Sequence, residues 1–412
     1  MLKISDIQTS KKSKTKKVRE IKPGGTVNYE KIINTFTRLK PKYLNLTLLL
    51  AVLGMSAFGL AMVYSASHYN SQIYHGTKYH YFTSQLIGFV LGVIALSATY
   101  IIDYRVYKRF YWAILAVGTA LLILVFIPGI GISRLGSSRW IGIGGFSMQP
   151  SEVAKFAFVV FAAAVASKYS PFNKGGNTAM GILSFKQLSL ILAAGLGFCA
   201  LILLEPNLSI TLCLGMTMFI MLFLCGAQLK HLALIAAPAL VALPIMLVAE
   251  PYRVRRLLAF IDPWARPKDE GFQLIQSLFG LGNGGFFGVG YGNSTQKHMF
   301  LPFSESDFIF SIIGEEFGFI GCVIFIAVLA LIVMQTFRVG MRCRDNFGKY
   351  LCFGIATLIF VQSAVNLAVV TGSIPPTGVP LPFISFGGTS LAVYMAAIGV
   401  VLNVDKRNKL LL

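Results

Sequence analysis

Phe317-Gly-Phe-Ile-Gly-Cys-Val-Ile-Phe-Ile-Ala-Val-Leu-Ala-Leu-Ile-Val-Met334 runs through eighteen positions without one charged residue. A helix of that length rises about 27 Å, close to the ~30 Å hydrocarbon core of a bilayer. A barrel strand would instead alternate apolar and polar residues over roughly ten positions. The same unbroken pattern recurs. Apolar spans lie at 43–66, 81–102, 110–127, 151–167, 186–204, 208–225, 231–249, 308–335, 349–370 and 385–403. The chain therefore reads as an all-α polytopic membrane protein with ten transmembrane helices. Composition agrees: of 412 residues, 55% are hydrophobic and only 13% charged. That balance excludes a soluble globular enzyme, a disordered chain and a disulfide scaffold.

The net charge of +20 suggests nucleic acid at first sight, but its distribution points elsewhere. Counting Lys and Arg outside the spans, with Lys186 and Lys349 at span ends taken with their loops, puts 26 on the side of both termini and 9 on the other, with Lys155 inside a span. Such an excess predicts cytoplasmic termini and attraction to anionic lipid, with no nucleic-acid partner. Residues 1–42 are polar and basic, which predicts a disordered cytoplasmic arm and no cleavable signal. The membrane domain spans 43–403, and 404–412 form a cytoplasmic end. Cys199, Cys213, Cys225, Cys322, Cys343 and Cys352 all fall in spans or on the inner side, and none has zinc-ligand spacing. They read as core residues or reduced thiols.

One connection is too long to be a mere link. It covers 250–306 and lies outside by the charge count. Within it, Phe272, Leu274, Ile275, Leu278 and Phe279 have helical spacing, and a glycine-rich stretch follows from Gly280 to Gly292. This predicts an amphipathic interfacial helix and then tight turns, either a membrane-hugging flap or a lid over a headgroup site. No internal repeat is visible.

Charged residues near spans are costly and point to function. Arg139, Glu152, Lys155, Glu205, Asp307, Glu315 and Glu316 all sit at outer span ends or in adjoining loops. A transporter would hold its key groups near the midplane. In Gln149-Pro-Ser-Glu152, the proline, serine and acid suit a helix start, whereas Lys155 has the wrong sign for that end of the dipole. Lys155 either snorkels outward or meets an anion, a carboxylate or a phosphate. Asp307 is the natural carboxylate, although a first-turn acid also complements a helix dipole. Glu315 lies about 80° around the helix from Asp307 and Glu316 about 180°. Glu315 is therefore the better site candidate, and Glu316 is expected to pair with another helix.

The last outer loop, Thr371 to Ser390, holds four prolines and four glycines in twenty residues. Such a rigid hairpin at membrane depth must be buried in protein or line a cavity. Gly387, Gly388, Thr389 and Ser390 open the last helix with backbone N–H groups suited to an anion, or simply begin a helix.

Ordered through the chain, Arg139-Trp140, Gln149-Pro-Ser-Glu152, Lys155, Glu205-Pro206, Gly292-Asn-Ser, Gln296-Lys297, Leu301-Pro302, Asp307-Phe-Ile-Phe310, Gly314-Glu-Glu316 and the run from Asn366 to Ser390 resemble the FtsW/RodA/SpoVE family of shape, elongation, division and sporulation proteins. The resemblance covers nearly all of 43–403. Gly292 to Lys297 is nearer the division members than the elongation members. Ser373, Phe386, Asn207, Phe303 and Glu305 depart from the family's usual residues.

The resemblance implies a peptidoglycan glycosyltransferase of the bacterial cytoplasmic membrane that polymerises lipid II at its outer face, in septal synthesis. It implies a class B penicillin-binding transpeptidase and divisome proteins as partners, undecaprenyl pyrophosphate-linked glycan as the donor, and a divalent cation, Mg or Mn. It makes Asp307 the general base and Lys155 its orienting cation. Arg139, Trp140, Gln149, Glu152, Glu205, Lys297, Glu315 and the Ser385–Ser390 stretch become substrate-binding candidates. Spacing names no metal ligands; Glu315, Glu205 and Asp262 are acidic candidates. The alternatives are an elongation-type polymerase, a flippase or transporter of the lipid-linked precursor, and a scaffold for the transpeptidase.

Overall fold

The computed structural model describes residues 44–134, 137–143, 146–168, 183–248 and 251–410. The basic arm at 1–42 lies outside the described residues.

Helix α1, Leu46–His75, begins where the Asn45 side chain accepts from the Leu48 N–H at 3.1 Å. It stops at Gly76, whose φ of 70° a glycine adopts without strain. Then come α2 (His80–Ile101), the short α3 (Arg105–Arg109) and the apolar α4 (Tyr111–Leu124). The membrane bundle is all-α, as expected, and one small β element accompanies it. Gly131–Arg134, Ser137–Ile143 and Phe146–Met148 form a three-stranded antiparallel sheet, β1-β2-β3. The segment is too polar to enter a bilayer and too long to be a turn, so it satisfies its backbone by pairing with itself.

Among the described residues nine α-helices follow: α5 (Pro150–Lys168), α6 (Phe185–Leu204), α7 (Leu208–Leu224), α8 (Leu229–Val248), α9 (Pro251–Ile261), α10 (Phe272–Asn283), α11 (Ile309–Arg342), α12 (Asn346–Val370) and α13 (Gly388–Leu410). Among the described residues seven helices are long and apolar enough to cross a membrane: α1, α2, α5, α6, α11, α12 and α13. Tyr111–Leu124, Leu208–Leu224 and Leu229–Pro238 are shorter apolar helices. The amphipathic helix expected within 250–306 is α10. The loop also holds α9, whose three arginines hid it from an apolar search.

The bundle is built around α5. Its apolar window is 83% buried and those of α12 and α13 are 72%, against 22% for α2 and α11. A helix apolar on every side belongs inside. Ala162-Ala-Ala-Val-Ala166 gives α5 a slim waist that its neighbours can approach. The α2–α13 contact is closer still: a Cβ on Gly88 would lie 2.4 Å from Gly388 Cα.

Helix α11 is broken at Gly318 (φ 67°, ψ −167°). The glycine-rich stretch docks there edge-on. Val289 N–H donates to Glu315 O and Gly290 N–H to Glu316 O, each at 3.0 Å, while Phe319 N–H donates to Gly285 O at 2.9 Å. The ribbon thus satisfies groups that the break would leave bare. All six cysteines are free thiols, five buried and Cys322 partly so, as expected of core residues.

Candidate active site

Asp307 sits two residues before α11 and is half-buried. Burial is the main force that pushes its carboxyl up to about 7, Glu305 adds to it, and Arg256 and Arg139 oppose it. The aspartate's backbone is pinned: Asn366 Nδ2 donates to Asp307 O and to Val379 O, each at 2.7 Å. The last loop passes directly over the carboxylate, so that a Cβ on Gly378 would lie 3.1 Å from Asp307 Oδ2. Arg256 on α9 donates to Pro376 O of the same loop at 3.3 Å. Glu305 is buried, and burial raises its carboxyl against the bonds from Asn70 and Ser304. Its carbonyl accepts from Phe386 N–H at 2.9 Å.

Lys155 is fully buried on α5 and does not snorkel. The expected ion pair with Asp307 is not formed. Lys155 Nζ donates to Glu152 Oε1 at 2.7 Å, one turn earlier, and to Gln362 Oε1 on α12. Tyr394 OH donates to the same Gln362 oxygen at 2.5 Å, and Ser390 Oγ donates to Glu152 Oε2 at 3.1 Å. Glu152 thus lies within its own helix's reach of the lysine, and a buried cation takes its nearest anion.

Arg139 and Trp140 lie on β2. Arg139 donates to the carbonyl oxygens of Glu205 and Pro206, which ties the small sheet to the C-terminal end of α6. Both carboxylate oxygens of Glu205 are buried without a hydrogen-bond partner among the described residues. Burial pushes this acid up to about 8 against the pull of Arg139. Gln149 lies at the entry to α5, where its carbonyl accepts from Glu152 N–H at 3.2 Å.

Other candidates serve the long loop. Lys297 is fully buried and pairs with Glu316 Oε1 at 3.2 Å, and Ser65 Oγ on α1 donates to that oxygen at 2.6 Å. Glu316 therefore does pair across helices. Glu315 is occupied by Ser294 Oγ, Thr295 N–H and Oγ1, and Gln296 N–H. Ser385 Oγ donates to Ser306 O at 2.6 Å and accepts from Leu381 N–H at 2.7 Å. Gly387 N–H donates to Gln85 Oε1 at 2.9 Å, Gly388 packs on Gly88, and Thr389 Oγ1 donates to Ser147 O at 3.4 Å. These contacts hold the loop and the helix entry in place and engage the Gly387 N–H offered for an anion.

A cavity of about 330 Å³ beside this loop is lined by Arg256, Asp269, Glu270, Phe272, Gln273, Pro302 and Pro376. No three His, Cys, Asp or Glu side chains cluster to hold a metal among the described residues. The acids offered as ligands lie apart in role: Asp262 caps a turn through Trp264 and Ala265 N–H, Glu315 is engaged as above, and Glu205 is buried with neither carboxylate oxygen bonded among the described residues. Sequence reading missed Gln362, Tyr394, Gln85 and Ser65. Gln362 carried a usable signal, a polar amide inside a span one turn before Asn366.

A multi-pass membrane protein with a half-buried acid under a rigid proline-rich loop, and a buried lysine network beneath it, is the class these observations define. The chain matches the cell cycle protein family FtsW/RodA/SpoVE over residues 45–410 and belongs to it. It is 39% identical over 364 residues to a "Probable peptidoglycan glycosyltransferase FtsW" of Geobacter sp. (strain M18), covering 88% of this chain and 96% of that one. It is 35% identical over 367 residues to the stage V sporulation protein E of Bacillus subtilis (strain 168), covering 89% and 98%. Among solved structures it is similar to one described under "Structural coordination of polymerization and crosslinking by a peptidoglycan synthase complex". There the TM-score is 0.71 and the identity 25%, over 89% of this chain and 98% of that one. The fold also matches the rod shape determining protein RodA of Thermus thermophilus, with TM-score 0.65 and 22% identity over 89% and 97%.

Proposed function

We propose that this protein is a peptidoglycan glycosyltransferase of the division type, an inverting lipid II polymerase of the bacterial cytoplasmic membrane. The observation that carries the reading is Asp307: a carboxylate at a span entrance, half open, with its ordinary acidity weakened to about 7. A general base works best with a pKa near the operating pH. Asp307 accepts the proton of the acceptor sugar's 4-hydroxyl as that oxygen attacks the anomeric carbon of the lipid-linked donor. The bond from that carbon to the diphosphate breaks on the opposite face, and inversion follows. Arg256 and Arg139, which both act on Asp307, supply positive charge on the side where the undecaprenyl diphosphate leaves.

A divalent cation, Mg or Mn, belongs to this proposal. Such ions bind through one or two carboxylates plus substrate phosphates, and Asp307 and Glu305 are the acids on this face. It would neutralise charge on the leaving diphosphate.

The partners in this reading are a class B penicillin-binding transpeptidase of the septal type and divisome proteins. The ten-span topology is part of the reading, with both termini inside and 250–306 outside. The three shorter apolar helices complete the count. An introduced Lys268→Cys, on the exposed surface of that loop, is expected to label from outside intact cells. Labelling only after permeabilisation would reverse the topology. The function is tested with purified protein, its transpeptidase partner, lipid II and Mg or Mn in detergent. Detergent abolishes compartments, so glycan polymer there means catalysis, and its absence from an intact complex refutes the reading.

A further inference from the structure

Two amides stand one turn apart on α12, Gln362 and Asn366, and each has two jobs. Asn366 Nδ2 holds Asp307 O and Val379 O. Gln362 Nε2 donates to Pro380 O at 2.9 Å, while its Oε1 accepts from Lys155 Nζ and from Tyr394 OH. Gln362 is fully buried, and so is Lys155. Successive carbonyls of the last loop, Val379 and Pro380, are therefore clamped by successive turns of one helix. One clamp reaches Asp307 and the other reaches the lysine. The residue before these two is Gly378, where an added Cβ would lie 3.1 Å from Asp307 Oδ2.

We infer that Gln362 is a positioning residue for the reaction. It transmits the buried Lys155 network to the loop over Asp307, so that Lys155 acts on Asp307 through loop geometry and not through a direct ion pair. The inference rests on Asp307 being the base. Its physical content is the division of labour within one side chain. The Oε1 end satisfies a buried cation, which is structural. The Nε2 end fixes a loop carbonyl, which is positional. A buried amide meeting partners at both ends has one orientation open to it, because turning it over would aim the NH₂ group at an ammonium.

The two ends separate by substitution. Gln362→Glu keeps an acceptor for Lys155 and Tyr394 and stays ionised beside the lysine, but loses the donor to Pro380. Gln362→Met keeps the length and removes both. Both variants are assayed for lipid II polymerisation in the detergent system, beside wild type and Asp307→Asn, with kcat, KM, the pH–rate profile and thermal unfolding recorded. The expected result is a fall in kcat on the order of 10²-fold for both, as for a ~1 Å misplacement of a reacting group. KM and the acidic limb of the profile should be unchanged, and Gln362→Glu should still elute as folded protein in detergent. Wild-type kcat in Gln362→Glu would reduce Gln362 to a partner of Lys155 and overturn the inference. A rise in KM without loss of kcat, or failure of both variants to fold, overturns it as well. If Asp307→Asn itself polymerises, the reading of the base fails. If Asp307→Asn is inactive and the Gln362 variants are normal, only the positioning role fails.

Discussion

Gly378 runs so close over Asp307 that a single added methyl would stand 3.1 Å from the carboxylate oxygen Oδ2. Real Cβ contacts are rarely that tight, so the aspartate or the loop would have to shift by a few tenths of an ångström. Gly378 is exposed, and nothing in the core depends on it. Gly378→Ala is expected to fold and bind its transpeptidase normally while lowering the polymerisation rate roughly tenfold through misplacement of the base. Wild-type rates from purified Gly378→Ala would show that the loop does not constrain Asp307.

Asp307→Asn keeps the size and removes the proton acceptor. The expected loss is about 10²–10⁴ in rate, with normal expression and normal complex formation, measured in the detergent assay. The fold should not suffer, because the ionised acid is a burden there: burial is the main force raising its carboxyl from the ordinary 3.8 to about 7. Folded-state affinity for the proton is the higher one, so stability falls as pH rises across that window. Thermal unfolding at pH 8 should therefore occur no earlier in Asp307→Asn than in wild type. Near-normal polymer would remove Asp307 from the mechanism.

The same shift gives the rate a pH dependence. On the proposed mechanism Asp307 acts when ionised, so the rate should rise with pH through about 7. Glu305 is the second cause of the shift, after burial, and acts as a like charge. Glu305→Gln removes it, so the acidic limb should move to lower pH. An unmoved limb in a folded Glu305→Gln protein would mean that the two acids do not sense each other.

Lys155 and Glu152 form a fully buried pair at 2.7 Å. Removing one partner of such a pair commonly costs about 3–5 kcal/mol, because the other is left charged without a counter-ion. Lys155→Met is expected to lower the yield of folded protein as well as activity, and Glu152→Gln should lower yield too. The Lys155→Met/Glu152→Gln double variant should recover yield relative to either single one, as monitored by size-exclusion elution in detergent. A double variant worse than both would place the charges in separate networks.

At Gly318, φ of 67° opens α11 to the glycine ribbon, and a Cβ there would meet Gly288 N at 2.4 Å. Gly318→Ala combines backbone strain with a backbone clash, so the loss should exceed the ~1 kcal/mol of a compatible glycine replacement. The expected outcome is a lowered unfolding temperature and faster proteolysis between 284 and 300.

What could be read from the chain alone was whatever is local and periodic. Uninterrupted apolar runs such as Phe317–Met334 dictate a membrane helix, because only helices and closed barrels satisfy the backbone in lipid and a barrel strand would alternate. The unequal placement of Lys and Arg predicts an orientation for the same reason of cost. The helical spacing of Phe272 to Phe279 predicted α10, and the family's ordered motifs singled out Asp307. The sheet at 131–148 escaped because its pairing lies outside any apolar pattern. Tertiary structure alone decided the partners. Lys155 and Asp307 carry opposite charges and looked like a pair, but charge says nothing about direction. Lys155 points down its own helix to Glu152 and across to Gln362, and Asp307 is held instead by Asn366 and the last loop. Glu315 and Lys297, equally polar in sequence, turned inward to lock the long loop. Which buried polar group meets which depends on how separate helices rotate and stack, because each one removed from water must find its partner across whatever surface packing brings near.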